Sequence, residues 1–262
     1  MLAPEKESNY LIPSEFLELV ASVLQEKSNI FSSIKPLTKA TVPVIKVEAI
    51  PELQSIKLDI TVKGTRHKGL EAIEIVKGYL KQYPQLSSLI LVFKYMLKIT
   101  ELNNPYTGGL GSYGLLLLLV GFLQRKNDWP KSVTLGQWFI WIMNFYTKWD
   151  HSRFCVAPKP PNEKTSGEEK DIFIKLSQYL EVPIIIDPLV KDELNNVART
   201  STQIAKILDI FSVSLNSLWA DCFCSCHKKK PNTKNFSDGK HKLLDRMFVA
   251  IQGCIKMQDI LF

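Results

Sequence analysis

The sequence has no hydrophobic run long enough to cross a bilayer. Its most apolar stretch, Leu115–Val120 continued by Phe122 and Leu123, spans about ten residues, whereas a membrane-spanning helix needs about 20. The run therefore predicts a buried core helix. The first residues, from Met1 to Ser8, contain neither the basic nor the apolar segment of a secretory signal. We expect an intracellular protein that is not secreted and has no membrane partner.

Cysteine is scarce as well. The five cysteines are an odd number, and without a secretory signal they predict reduced thiols rather than a disulfide framework. Cys222, Cys224 and Cys226 alternate with single residues. That spacing is too short for paired ligands of a structural zinc site. We interpret them as ordinary thiols beside a basic tail.

The composition that remains is that of a globular protein. Of 262 residues, 45% are hydrophobic and 23% charged, which is enough for one large domain or two small ones with a real core. Lysine and arginine total 33 against 26 acidic residues, so the formal net charge is +7. A basic balance favours a polyanionic partner, whether a nucleic acid, a nucleotide or a membrane surface.

Local patterns predict an α+β chain. Residues 14–27 have helical periodicity, whereas 42–48 and 56–62 are short and β-branched and predict strands. Two strands alone are marginal, so we expect their partner strands to be missing or to lie on another chain. Further helices are predicted at residues 69–82, 86–101, 112–125, 134–148, 200–218 and 243–255. Residues 157–169 and 228–242 are predicted loops, and 182–186 a short extended segment.

Asp59 lies in a strictly alternating segment, Ile56–Val62. Ile56, Leu58, Ile60 and Val62 share one face of the predicted strand, and Lys57, Asp59 and Thr61 share the other. A carboxylate on a rigid strand suits a metal site. The same pattern is also typical of an ordinary solvated strand face.

Two lysines share a face of the helix predicted at 86–101. Lys94 and Lys98 are four residues apart among apolar neighbours. Two positive charges at this spacing repel each other by a few tenths of a kcal/mol, and a triphosphate between them would reverse the sign. A solvated stripe is the alternative interpretation.

The most distinctive segment is glycine-rich and runs from Asn103 to Tyr113. Gly108, Gly109 and Gly111 precede a predicted helix, whose free N–H groups and positive dipole end make an anion site. Ser112 can cap that helix or bond a phosphate oxygen, and Tyr113 offers a ring for a base. A glycine-rich helix start with a buried tyrosine is the alternative, because the segment is neither a Walker loop nor a dinucleotide fingerprint.

With its neighbours, this segment resembles the Trf4-like non-canonical poly(A) polymerases, which are terminal nucleotidyltransferases. The resemblance rests on residues 107–113 with the apolar helix after them, on residues 40–46 with the Asp59 strand, and on Ile186-Asp187-Pro188 with residues 195–199. These blocks stand in the order and spacing of the family, from about residue 11 to 220. The resemblance implies a partial nucleotidyltransferase domain at 1–63, a helical poly(A)-polymerase-associated domain at 64–220 and a basic tail with a terminal helix at 221–262.

The resemblance also implies residue roles. Asp59 matches the third catalytic carboxylate and a metal ligand, and Lys94 and Lys98 match the lysines on the triphosphate. Tyr113 matches the ring that stacks on the incoming base. The other implied nucleotide contacts are Gly109, Ser112, Asn195 on the base edge, and Arg199. The implied activity is ATP-preferring addition of nucleotides to RNA 3′ ends with two Mg²⁺ (or Mn²⁺) ions.

The chain departs from the family pattern in two places. No Gly-Ser turn and no Asp-x-Asp pair precede Asp59, so two of three catalytic carboxylates are missing. We expect a truncated polymerase, inactive alone, with a catalytically dead RNA- or protein-binding scaffold as the alternative. Lys68 also stands where the family has an asparagine that contacts the ribose. Selection for ribonucleotides is therefore open.

The resemblance further implies a nuclear rather than cytoplasmic protein that works with a zinc-knuckle RNA-binding protein and a helicase. The lysine-rich tail, which includes Lys228, Lys229 and Lys230, fits contact with RNA phosphates or nuclear import. A solvated basic linker is an equal alternative.

Overall fold

The computed structural model describes residues 13–27, 29–39, 43–62, 69–126, 129–163, 168–190 and 195–227. These residues form two compact units that divide between Ile73 and Glu74. Lys68, the lysine-rich tail and the helix predicted at 243–255 lie outside the described residues. None of the described helices is both long and apolar enough to cross a membrane.

The first unit is a helix packed on a small sheet. Three antiparallel strands lie in the order β1 (Phe31–Leu37), β2 (Val44–Ala49) and β3 (Lys57–Thr61). Helix α1 (Pro13–Gln25) packs on β1 and β2. Leu17, Ala21, Ile45 and Val47 form its buried core. Strand β1 is the partner that the sequence analysis missed. Its Pro36 lies on an outer strand of this sheet, where a missing N–H is tolerated.

The predicted alternation of β3 is half right. Ile60 and Val62 pack against the core of the first unit, as predicted. Leu58, however, is 46% exposed and Ile56 is 52% exposed. Strand β3 pairs only with β2 in the described sheet, so its far end extends beyond the cover that α1 provides.

The second unit is helical and is built around one buried helix. Helix α4 (Ser112–Gln124) is buried at every position from Gly114 to Gln124, as the apolar run predicted. Helices α3 (Leu86–Ile99) and α5 (Leu135–Tyr146) pack against it, and α6 (Ile204–His227) packs against α5. Helix α2 (Gly69–Gln82) contains the boundary between the two units.

The helix predicted at 200–218 starts later and ends later than expected. Helix α6 begins at Ile204, so Thr200, Ser201 and Thr202 precede the helix rather than start it. Its backbone continues through His227 and therefore includes the start of the predicted tail. The short strands β4 (Phe154–Val156) and β5 (Phe173–Lys175) pair with each other and were not predicted. Ile185 and Ile186 make isolated bridges in the predicted extended segment.

Candidate nucleotide-binding site

A cleft of about 220 Å³ lies beside the start of α4. Three of the predicted site residues, Lys94, Lys98 and Ser112, line it together. Its remaining walls come from Tyr95, Leu97, Asn103, Leu110 and Leu115. The cleft is therefore basic on one side, apolar at its base and open at a helix N-terminus.

The lysines come from α3. Lys94 and Lys98 are both exposed and stand one helical turn apart, whereas Phe93, Met96 and Leu97 are buried in the core. Burial of the apolar face fixes the rotation of α3 and directs both ammonium groups toward the cleft. Two unscreened positive charges four residues apart repel, so an anion bound between them is stabilised.

The helix start supplies the other polar wall. Gly111 is the N-cap of α4, and Ser112 is its first residue. Ser112 therefore does not cap the helix, and its exposed side chain lies at the cleft. The N–H groups of the first turn have no carbonyl partners within the helix. Together with the helix dipole they favour a negatively charged ligand here.

Glycine is required in the loop because of close contacts inside the protein. Gly108 has φ of +85°, and a Cβ there would lie 2.4 Å from Oγ1 of Thr202. A Cβ on Gly109 would lie 2.3 Å from the carbonyl oxygen of Leu102. The N–H of Gly109 donates to the carbonyl of Asn104 at 2.9 Å. Gly109 therefore shapes the loop that carries Ser112, and its predicted nucleotide contact stays a prediction.

The turn before α6, at residues 200–203, is hydrogen-bonded to the glycine loop at residues 107–109. Ser201 Oγ donates to the carbonyl of Gly109 at 3.1 Å, and the N–H of Gln203 donates to the carbonyl of Gly108 at 2.9 Å. The side-chain amide of Gln203 also donates to the carbonyl of Thr107. Sequence reasoning missed these contacts, because Ser201 and Gly109 are 92 residues apart.

Tyr113 is tied to the loop that follows the isolated bridges. Its Oη donates to Oδ1 of Asp187 at 2.9 Å, and the N–H of Leu189 donates to the same oxygen at 2.9 Å. Burial raises the pKa of Tyr113 well above its usual value, and the Asp187 carboxylate raises that pKa further. The ring is half-buried and neutral. Asp187 belongs to one of the motifs that carry the family resemblance but had no predicted role.

Asn195 and Arg199 follow Asp187 in the chain. We call the described residues 187–190 and 195–199 the late loop. The side-chain amide of Asn195 donates to the carbonyls of Asp187 at 3.0 Å and Val190 at 3.3 Å. Its NH₂ group thus holds the loop closed around Asp187. Arg199 is exposed, in the turn that precedes Ser201. Roles in base recognition stay predictions for both residues.

Asn196 was not predicted and organises the loop backbone. Its Oδ1 accepts from the N–H groups of Ile185 at 3.0 Å and Ala198 at 2.9 Å, and its Nδ2 donates to the carbonyl of Pro183 at 2.8 Å. This side chain therefore acts as a structural bridge. In the sequence, only the adjacent pair Asn195-Asn196 pointed to this structural role.

Asp59 belongs to the first unit. It is exposed on β3, in register with Lys46 on β2. No group of three or more His, Cys, Asp or Glu side chains among the described residues is arranged to hold a metal ion. Asp59 therefore supplies one carboxylate, and the described residues alone do not fit a two-metal centre.

Buried tyrosines of the second unit predict loss of stability in alkali. Tyr79 donates to the carbonyl of Lys159 at 2.7 Å, and Tyr146 donates to the carbonyl of Leu118. Burial raises the pKa of both phenols above the ordinary value of 10.0. Above pH 10 the unfolded chain loses these protons while the folded chain keeps them. Unfolding then releases protons, so the free energy of unfolding falls as the pH rises, by about 1.4 kcal/mol per pH unit for each tyrosine.

Urea unfolding between pH 9 and 12 measures this slope. Tyr79→Phe should make the slope of the free energy of unfolding against pH less steep by about 1.4 kcal/mol per pH unit, the contribution of one tyrosine. Tyr106→Phe, at a residue that is 75% exposed, is the matched control and should leave the slope unchanged. Equal slopes in wild type and Tyr79→Phe would contradict the prediction.

Comparisons with known proteins give a consistent set of relatives. No family model matches the chain. Poly(A) RNA polymerase protein 2 of Saccharomyces cerevisiae is 26% identical over 210 residues, covering 76% of this chain and 34% of that protein. The inactive non-canonical poly(A) RNA polymerase protein Trf4-2 of Drosophila melanogaster is 32% identical over 94 residues, covering 36% of this chain and 22% of that protein. The chain spans about a third or less of the length of these curated relatives.

Solved structures share the fold. The polymerase core of TRAMP, an RNA surveillance complex, matches with a TM-score of 0.65 and 23% identity, over 96% of this chain and 72% of that one. The Cid1 poly(U) polymerase matches with a TM-score of 0.57 and 19% identity, over 84% of this chain and 76% of that one. These likenesses identify the α+β fold of a nucleotidyltransferase polymerase core. The chain is thus a homologue of the Trf4- and Cid14-type poly(A) RNA polymerases.

Proposed function

We propose that this chain binds ATP and the 3′ end of RNA as part of a template-independent RNA nucleotidyltransferase of the poly(A) polymerase type. One observation carries the proposal: Lys94, Lys98 and Ser112 meet around one cleft at the N-terminus of α4, and Tyr113 follows directly. The homologues support the reaction class, because their names describe RNA polymerases that add poly(A). The preference for ATP is part of the proposal.

Each part of a nucleotide has a proposed partner: the phosphates in the cleft, and the base at Tyr113, Asn195 and Arg199, which do not line the cleft. Lys94 and Lys98 bind the triphosphate, and the hydroxyl and N–H of Ser112 bind one of its oxygens. The Tyr113 ring stacks on the base, which any base tolerates. Asn195 and Arg199 contribute from the late loop, where base selection takes place. The NH₂ of Asn195 already donates to loop carbonyls, so selection acts through the position of that loop.

In the proposed reaction, the RNA 3′ oxygen forms a bond to the α-phosphorus of ATP. The bond from that phosphorus to the bridging oxygen breaks, and pyrophosphate leaves with the excess negative charge. Lys94, Lys98 and the helix start stabilise that charge where it develops. Mg²⁺ or Mn²⁺ would add charge neutralisation in this class of chemistry. Asp59, in the first unit, stays a predicted metal ligand. The proton of the 3′ hydroxyl leaves to water.

Removing both lysines should abolish most nucleotide affinity. We expect Lys94→Ala combined with Lys98→Ala to weaken ATP binding by about one to two orders of magnitude, because each ammonium makes a charge-assisted contact to phosphate. Folding should be unaffected, because both side chains are exposed and their mutual repulsion disappears. Calorimetric titration with ATP measures the change.

The matched control removes the same charge elsewhere. Lys81 on α2 and Lys206 on α6 are exposed and do not line the cleft. The double variant Lys81→Ala and Lys206→Ala should bind ATP as wild type does. If both double variants lose affinity equally, the effect is one of net charge and the proposed site is wrong.

A catalytically inactive scaffold is the second candidate. Two observations favour it: Asp59 belongs to no group of three or more potential metal ligands among the described residues, and one relative carries the word inactive in its name. The test is tailing of an RNA primer with ATP or UTP and Mg²⁺ or Mn²⁺, with this chain alone and with the longest form that its transcript encodes. Incorporation by either form supports the enzyme. ATP binding without incorporation by either form supports the scaffold.

The proposal extends to the cell. A nuclear protein that works with a zinc-knuckle RNA-binding partner and a helicase would fit the likeness to the core of an RNA surveillance complex. Localisation of the tagged full-length protein and co-purification of its partners are the direct tests.

A further inference from the structure

A second, larger cleft lies at the other end of α4. It has a volume of about 910 Å³ and surrounds Arg125, the residue that follows α4. Helix α4 has 13 residues, so the two ends are about 20 Å apart. The walls of this cleft combine indole and phenyl rings with basic side chains, chiefly Trp129, Trp141, Phe145, Lys126 and Lys148. We call it the tryptophan cleft.

A row of rings ends at the tryptophan cleft. Phe122 packs on Trp129 with ring centroids 5.3 Å apart, and Trp129 stacks on Trp141 with centroids 5.7 Å apart and planes inclined by only 20°. Among the described residues, the rings packed against Trp141 are Trp129 and Trp138, the latter edge-on. Trp141 is half-buried and forms part of the cleft wall. The exposed part of the Trp141 ring therefore faces the cleft.

Two segments bring further side chains to the cleft beside Trp141. Asn144 and Phe145 are three and four residues after it on α5, so they lie on the same side of that helix. Lys148 lies in the turn after α5 and also lines the cleft. Lys148 is exposed, and the ammonium of Lys126 lies 5.7 Å from the Trp129 ring centroid. Positive charge is thus placed beside a flat aromatic surface.

The acidic side chains of the cleft are already paired. Glu169 accepts from Arg125 at 3.0 Å, and Asp150 lies 3.4 Å from Arg153. The Arg125 guanidinium also lies over the Phe122 and Phe145 rings, at 4.6 and 4.7 Å from their centroids. Its Nε is buried and has no hydrogen-bond partner among the described residues. The acidic side chains are thus neutralised by arginines, and Lys126 and Lys148 leave the cleft with net positive charge.

We propose that the tryptophan cleft binds single-stranded RNA, with a base stacked on Trp141 and phosphates near Lys126 and Lys148. Aromatic platforms flanked by cations suit single strands, because every base has a π face and every nucleotide carries a negative charge. The inference rests on the proposed function for its choice of RNA as ligand. The cleft lies away from the lysines of the ATP cleft, so it holds a strand segment other than the reacting 3′ end.

The test is anisotropy of a fluorescein-labelled single-stranded oligoadenylate titrated with the full chain. Trp141→Ala should weaken binding about tenfold, since stacking of one base contributes about 1–3 kcal/mol. Lys148→Glu should weaken binding and reduce the slope of log K against log salt by about 0.7, which a purely structural effect would not do. The matched controls are Trp219→Ala, at a tryptophan that is 51% exposed on α6, and Lys81→Glu on α2. Both should bind as wild type.

Three results would overturn the inference. The first is wild-type RNA affinity in both Trp141→Ala and Lys148→Glu. The second is equal loss in the controls. The third is displacement of the RNA by polyglutamate at equal charge concentration, which would identify an acidic protein segment as the ligand. If Trp141→Ala does not fold, Lys148→Glu and the milder Trp141→Phe decide the question.

ATP binding separates this inference from the proposed function. Trp141→Ala and Lys148→Glu should bind ATP normally. In the Lys94→Ala, Lys98→Ala background, adding Trp141→Ala should still weaken RNA binding about tenfold. If the wild-type chain does not bind ATP, the proposed function is wrong, but the effect of Trp141 on RNA binding can still support the tryptophan cleft. Normal ATP binding with no effect of Trp141 on RNA would refute the cleft alone.

Discussion

Gly109→Ala is expected to destabilise the helical unit and to remove nucleotide binding together. A Cβ at this position would lie 2.3 Å from the carbonyl oxygen and 2.6 Å from the carbonyl carbon of Leu102. Both are backbone atoms, so no side chain can rotate away. The hydrogen bond from Leu110 N–H to the same Leu102 oxygen, 2.8 Å long, holds that carbonyl in place. Either the glycine loop or the segment around Leu102, which follows α3, must move.

The cost should resemble that of overpacking a tight core. We expect a loss of about 2–3 kcal/mol in the free energy of unfolding, measured by urea denaturation. Movement of the loop also displaces the Ser201 hydrogen bond and the start of α4, where Ser112 lies. ATP affinity should therefore fall even in the fraction that remains folded.

The chain provides a matched glycine. Gly136 lies in α5, and a Cβ at this position would have no atom within 4 Å, so Gly136→Ala adds the same methyl group to open space. That variant should be more stable by about 0.5–1 kcal/mol, because alanine loses less backbone entropy in a helix. If the two alanine variants behave alike, glycine at 109 is not required by the contact with Leu102.

Periodic patterns predicted α2 and α3 well, and the apolar run predicted the fully buried α4. Helix α2 spans residues 69–82 as predicted, and α3 and α4 begin at the predicted residues 86 and 112. Helix α6 was predicted to start too early, because Ser201 and Thr202 resemble cap residues in the sequence. In the structure Ser201 bonds Gly109 instead. A contact across 92 residues overrides a local preference.

Strands were harder to predict. Strand β1 reads Phe-Ser-Ser-Ile-Lys-Pro-Leu, with a proline and two serines, and lacks strong β propensity. It forms because six of its residues pair with β2, which supplies the buried Ile45 and Val47. Strands β4 and β5 have three residues each, too few for any periodicity to appear. These strands form because they pair with another strand, and a local stretch of sequence does not reveal which residues that strand contains.

The site residues were predictable in part. Helical spacing places Lys94 and Lys98 on one face, and the apolar run places Ser112 at a helix start. That the three residues meet at one cleft depends on the packing of α3 against α4, and only the family resemblance implied it. The bond between Tyr113 and Asp187 joins residues 74 apart and depends on the packing of the whole unit. Sequence reasoning found both residues but not the contact. That contact connects the ring proposed to stack on the base to the loop proposed to select the base.

Asp187→Ala is the second large effect we expect. Asp187 is 8% exposed, and one of its oxygens accepts from both the Tyr113 hydroxyl and the Leu189 N–H. The alanine variant leaves both donors without their acceptor. Each buried unsatisfied group costs about 1–3 kcal/mol, so unfolding should require about 2–5 kcal/mol less free energy. The Tyr113 ring and the late loop also lose their common anchor.

Asp187→Asn is the conservative variant that separates charge from geometry. Its amide oxygen can still accept from Tyr113 and Leu189, so stability and ATP affinity should stay near those of wild type. The pKa of Tyr113 should nevertheless fall, because the negative charge that raises it is gone. Burial, the larger cause, remains, so that pKa should stay above its ordinary value of 10.0. Ultraviolet titration of the phenols, with Tyr113→Phe to assign the signal, measures this shift.

The two variants together decide what Asp187 does. If it positions the stacking ring, Asp187→Ala should weaken ATP binding about tenfold, a loss of one stacked base contact, while Asp187→Asn retains binding. If the carboxylate acts on the nucleotide directly, both variants should lose affinity equally. If Asp187 serves the fold alone, ATP affinity of the folded Asp187→Ala protein should equal that of wild type. The hydrogen bond at 2.9 Å to Tyr113 leads us to expect the first result, because rotation of this ring changes the surface that the base meets.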